Sequence, residues 1–133
     1  MVRLVSLQSI TDETPGLLGV AECDAHIPFT PKRLFYFTGQ PAGMQRGGHA
    51  HRVQHQFIIT MSGKLTVHGW DHDSSWTEHL DKPTVGLYCA PMTWLEITFE
   101  TDNAVVAVLA SDIYSEADYI RDRSEFDRIS QNL

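Results

Sequence analysis

Cysteine is scarce: Cys23 and Cys89 stand far apart, with no C-x-x-C spacing. That argues against a disulfide framework and leaves two reduced, packed thiols as the expectation. Long apolar runs are also missing. No stretch approaches the ~18 consecutive apolar residues of a membrane-spanning helix. Met1–Ile10 lacks the basic-then-apolar layout of a secretory signal, so a cytoplasmic location is expected. Positive charge is in deficit: 10 Lys and Arg against 17 Asp and Glu leave a formal net charge of −7. Nucleic acid is a poor partner for such a surface, because binding phosphate backbones needs basic patches. A small phosphorylated ligand is still compatible, since a few converging arginines reverse the potential locally.

What is present reads as one globular domain over residues 1–133, with 42% hydrophobic and 20% charged residues. Short β-rich runs dominate: Val2–Leu7, Leu17–Ala21, Arg33–Thr38, Gln56–Met61, Lys64–Trp70, Ser75–Leu80, Val85–Ala90, Trp94–Phe99 and Ala104–Ala110. Turn residues separate them, and the gaps leave no room for crossover helices. The spacing therefore predicts an all-β antiparallel sandwich or barrel. The pattern changes near Ser111. Ser115–Tyr119 and Ser124–Ile129 carry helical spacing, with Tyr119, Ile120, Phe126 and Ile129 on one stripe and Ser115 as an N-cap.

The most informative stretch is Gly43-Met44-Gln45-Arg46-Gly47-Gly48-His49-Ala50-His51. Residues two apart on an extended chain share a face, so His49 and His51 are neighbours. The glycines let the backbone bend or approach a ligand closely. Arg46 adds a permanent cation. Such a histidine pair can bind a metal, exchange protons with a substrate, or serve the sheet structurally.

The spacing resembles the first cupin motif, G-x5-HxH-x3–4-E-x6-G, on Gly43, His49, His51 and Gly63, with Gln56 at the glutamate position. The second motif is matched loosely by Gly86 and Pro91, with Thr93 at its later glycine and Glu96 at its histidine. The resemblance implies a cupin-type antiparallel β-barrel or jelly roll, here with a short C-terminal helical segment. His49, His51 and Glu96 would make a two-histidine, one-carboxylate metal set; Gln56 is a poor ligand.

A narrower resemblance covers nearly the whole chain. Arg46-Gly47-Gly48-His49-Ala50-His51, Gln56, Val85-Gly86-Leu87-Tyr88, Pro91 and Trp94 are similar to the nucleotide-sugar 3,4-ketoisomerases, the WxcM-like family. So are Val108–Asp112, Tyr114 and Asp118-Tyr119-Ile120-Arg121. The resemblance implies an isomerase acting on dTDP-4-keto-6-deoxyglucose, without metal or other cofactor. It also implies a homodimer with exchanged N-terminal strands. His49 and His51 match the family's catalytic histidines, and the resemblance leaves open which is the base. Arg46, Arg33, Tyr36, Gln56, Trp94, Glu96 and Arg121 are the candidate substrate-binding residues. Asp118 reads as a local cap or pairing residue. Leu95 departs from the family, which has histidine after the motif tryptophan. His55 stands where the family tends to have glutamate, and strand alternation turns it away from the Gln56 face.

Two other readings stand beside this one: a metal-dependent cupin enzyme, and a non-catalytic nucleotide-sugar-binding module. His26, His68, His72 and His79 show no motif. His72 and His79 read as surface residues, while Trp70 and Trp76 read as hairpin or interface packing.

Overall fold

The computed structural model describes residues 1–133, and the architecture follows from alternation. Strands β1 (Val2–Ser6), β2 (Gln8–Ile10), β3 (Leu18–Val20), β4 (Arg33–Phe37), β5 (Gln45–His51) and β6 (Gln56–Ser62) form the first half. Strands β7 (Leu65–Trp70), β8 (Ser75–Leu80), β9 (Val85–Cys89), β10 (Trp94–Phe99) and β11 (Val105–Ala110) complete the barrel. A short β12 (Tyr119–Ile120) and one helix, α1 (Arg123–Ser130), follow. One sheet runs β1-β9-β6-β11-β4 and faces a second, β12-β5-β10-β7-β8. Every ladder pair is antiparallel. This is the all-β, cupin-type barrel that the strand spacing and motifs imply. No helix is long and apolar enough to cross a membrane.

The core lies between the two sheets. Ile58, Leu65, Val67, Leu87, Phe99, Val106 and Val108 interdigitate there, all nearly or fully buried. Strand β4 shows why: Phe35 and Phe37 pack inward against this cluster, while Leu34 and Tyr36 point out. A second cluster, Phe57, Ile59, Tyr88 and Ile27, covers the outer face of the first sheet. His55 lies on that outer side, its ring nitrogen 2.6 Å from the Tyr88 hydroxyl.

The C-terminal segment differs from its sequence pattern. Ser115–Tyr119 is not a helix. Glu116–Asp118 makes a single 3-10 turn with no side-chain cap from Ser115, and Tyr119 enters β12. The helix cap is Asp122, whose carboxylate accepts from the Ser124 N–H at 2.9 Å. Phe126 then packs with Ala50, Trp94 and Ile120. Tyr119 leaves that stripe because pairing opposite His51 in β12 turns it the other way. Cys89 is buried, but Cys23 is exposed rather than packed.

Candidate active site

Strand β5 carries a bulge. Leu95 pairs with His49 and Glu96 with Gly47, so Gly48 is an extra residue against β10. Gly47 and Gly48 both have positive φ, +91° and +76°. A Cβ at Gly47 would stand 2.7 Å from the Leu95 carbonyl oxygen, so only glycine fits. The extra residue inverts the alternation. Arg46 and His49, three apart, thereby line the same cavity.

That cavity holds about 360 Å³. Phe35, Phe37, Ile58, Leu95, Ile97 and Val108 supply its apolar wall. Arg46, His49, Gln56, Tyr119 and Arg121 supply its polar side. Arg46 lies over the Phe37 ring at 5.4 Å. Arg121 lies over the Tyr119 ring at 4.1 Å and forks onto Glu116, with contacts of 2.7 and 3.0 Å. That fork holds the Glu116 carboxyl down at about 2, helped by a hydrogen bond from the Tyr114 hydroxyl.

The two histidines differ in environment. His49 lines the cavity, and its Nδ1 has no hydrogen-bond partner. Burial, with the neighbouring His51 and Arg121, pulls its pKa down to about 4. His51 sits behind, only 5% exposed. Its Nδ1 is 3.0 Å from Asp118 Oδ2, and its Nε2 is 3.4 Å from the amide nitrogens of both Gln54 and Gln56. Burial lowers its pKa too, outweighing the opposing pull of Asp118. Both rings are therefore neutral near pH 7. They meet edge-on, centroids 5.2 Å apart, and Tyr119 lies 5.0 Å from His49 and 4.4 Å from His51.

The structure brings together only part of the candidate set from sequence. His49, Arg46, Gln56 and Arg121 line the cavity. Arg33 stands nearby, donating to Gln54 Oε1 at 3.0 Å. Three candidates lie elsewhere. Tyr36 is 68% exposed, because its position on β4 points outward. Trp94 is buried between Trp70 and Phe126 beneath α1. Glu96 is exposed, paired opposite His68 on the outer face, because the inward positions of β10 are Leu95 and Ile97. The proposed two-histidine, one-carboxylate metal set is thus not assembled. No carboxylate lines the cavity, and the nitrogen of His51 not held by Asp118 faces amide donors. These residues do not fit a transition metal.

Tyr119, Gln54 and Phe35 are not among the candidate site residues from sequence. The spacing places Tyr119 on a helical stripe, and Gln54 lies in the turn after β5, where no periodicity assigns a face. Asp118 does not cap or pair locally: its carboxylate reaches His51 and the Val53 N–H, both more than 60 positions away.

Comparison with known proteins places the chain among sugar ketoisomerases. A curated TDP-4-oxo-6-deoxy-alpha-D-glucose-3,4-oxoisomerase from Aneurinibacillus thermoaerophilus is 34% identical over 124 residues, 93% of this chain and 88% of that protein. QdtA, a sugar 3,4-ketoisomerase from Thermoanaerobacterium thermosaccharolyticum solved with TDP, superposes with a TM-score of 0.93 at 34% identity, covering 98% of this chain and 95% of its own. The WlaRB TDP-quinovose 3,4-ketoisomerase of Campylobacter jejuni superposes at 0.89 with 34% identity, covering 96% and 97%. The model of the family described as "FdtA: WxcM-like, C-terminal" matches residues 1–131, and the chain belongs to that family.

Proposed function

We propose that the chain is a nucleotide-sugar 3,4-ketoisomerase, converting dTDP-4-keto-6-deoxyglucose to a dTDP-3-keto-6-deoxyhexose. The observation that carries this is a neutral His49, its Nδ1 without a partner, on the wall of a cavity that also holds Arg46 and Arg121. The C3–H bond of the substrate is acidified by the adjacent C4 ketone. A neutral imidazole takes that proton, and the C–H electrons form the C3=C4 double bond of an enediolate. Protonation at C4 and transfer of the O3 proton to O4 leave the ketone at C3 and a hydroxyl at C4. His49 is the residue we assign to the C3 proton. Its pKa of about 4 keeps it free of a proton near neutral pH. The negative charge of a bound diphosphate and of the enediolate raises that value toward neutrality, where proton exchange is most efficient. Arg46 and Arg121 suit the diphosphate or the enediolate oxygen. His51, held by Asp118, backs His49.

The reaction is proposed to be metal-independent, on the donor set described above. A second reading, a non-catalytic nucleotide-sugar-binding protein, draws on Leu95, which puts an apolar side chain opposite His49. One experiment separates the two. The protein is incubated with dTDP-4-keto-6-deoxyglucose in deuterated, chelator-treated buffer, and the sugar ring is followed by NMR. Deuterium at C3 of the remaining substrate, together with a new 3-keto product labelled at C4, supports the isomerase. Tight TDP binding without exchange sinks it in favour of the binding module.

We also propose a homodimer with exchanged N-terminal strands, in the cytoplasm. Hairpin β2–β3 pairs only within itself, and Ile10, Leu17 and Leu18 are exposed on or beside it. Leu34, Tyr36 and Met61 extend the apolar surface on the first sheet. A second copy is the occupant such a surface fits. A monomer by light scattering at micromolar concentration would end this proposal. Two unpaired cysteines suit a reducing compartment.

A further inference from the structure

A line of donors and acceptors runs from β4 through the turn after β5 to the C-terminal segment. Arg33 is a donor only, and its Nη2 donates to Gln54 Oε1 at 3.0 Å. That contact fixes which end of the Gln54 amide is which. Its Nε2 must then face His51, 3.4 Å from the ring Nε2. Two amide nitrogens, those of Gln54 and Gln56, thus aim N–H groups at one imidazole nitrogen. An imidazole nitrogen can accept from them only if it carries no proton. The proton of neutral His51 is then on Nδ1, where Asp118 Oδ2 accepts it at 3.0 Å. Gln54 is 3% exposed and His51 is 5% exposed, so water cannot replace either partner cheaply.

We infer that Gln54 is a positioning residue: oriented by Arg33, it holds His51 as the neutral Nδ1–H tautomer. A proton arriving at Nε2 would meet two N–H donors head-on. His51 is thereby kept uncharged beside His49, which an imidazolium at 5.2 Å would make still harder to protonate. The ionisable groups around His51 are Asp118 at Nδ1, Arg33 from β4, Arg121 and Tyr119 from the C-terminal segment, and His49 on its own strand. Only Asp118 favours its charged form; the two arginines and the burial oppose it.

The catalytic consequence rests on the isomerase reading, but the tautomer does not. The test is ¹⁵N NMR of the histidine side chains across a pH titration, with Gln54→Met and Gln54→Glu beside the wild type. In the wild type His51 shows a protonated Nδ1 and a bare Nε2. Gln54→Glu gives Nε2–H an acceptor, so the His51 midpoint moves to higher pH. The acid limb of kcat moves with it, and kcat falls about tenfold near neutral pH while KM changes less than twofold. Gln54→Met keeps the volume, removes the donor, and moves the midpoint upward by less. A wild-type His51 protonated on Nε2, or identical titrations in all three proteins, overturns the inference. If the wild type isomerises nothing, the functional reading fails while the NMR result still decides the role of Gln54.

Discussion

His51 and Asp118 meet 3.0 Å apart across the seam where β12 closes against β5, both largely buried. The same carboxylate accepts the Val53 N–H at 2.7 Å through its other oxygen, and the Asp118 carbonyl accepts the Arg52 N–H at 2.9 Å. One residue of the C-terminal segment thus fixes both a ring and the turn that leaves the strand carrying it.

Asp118→Asn keeps the shape and an oxygen for Val53 but presents no charge to Nδ1. The ring loses its orienting acceptor. A fall in kcat of about 10²-fold, with near-wild-type circular dichroism, is expected. Unchanged kcat in a folded variant would remove Asp118 from the mechanism.

The two histidines also set how stability depends on pH. Both are depressed below the ordinary value of 6.5, His49 to about 4. Between about pH 6.5 and 4 the unfolded chain binds protons that the folded one refuses. Stability of the ligand-free protein therefore rises with pH through this window and levels off above it as far as these groups are concerned. Urea midpoints at about pH 5 should lie below those at about pH 7, and His49→Asn should narrow the gap. Equal gaps in the two proteins would contradict the buried, neutral His49.

The two bulge glycines should respond differently to alanine. Gly47→Ala drives a Cβ against the Leu95 carbonyl oxygen, whereas Gly48→Ala meets open space and bears only the positive φ. Losses of about 3 kcal/mol or more at Gly47 and about 1–2 kcal/mol at Gly48 are expected. Thermal or urea denaturation reads both. Equal losses would mean that the bulge is looser than its register indicates.

Glu96→Gln should leave isomerase activity within about twofold, because the side chain lies on the outer face. Exhaustive chelation should do the same. Loss of activity in either experiment would revive the metal-dependent alternative.

Much of this was legible beforehand, for local reasons. Short β-rich runs, the turn residues between them and the lack of room for crossover helices specified an antiparallel barrel. The His49–His51 pair was readable because residues two apart on an extended chain share a face. Parity failed where it was interrupted or unanchored. Glu96 and Trp94 were drawn into the site by motif alignment, yet the inward positions of β10 belong to Leu95 and Ile97. Tyr36 was chosen for its chemistry although its strand position turns it to solvent. Tyr119 fitted a helical stripe that the 3-10 turn at Glu116–Asp118 breaks. Gln54 had no readable face at all, since its orientation depends on Arg33, 21 positions away.

The C-terminal segment also ties the completeness of the site to elements outside the strands from β1 to β11. Asp118, Tyr119 and Arg121 all follow β11. A chain cut after β11 would keep those strands yet lose the carboxylate at His51 Nδ1 and two side chains, Tyr119 and Arg121, from the polar side of the cavity.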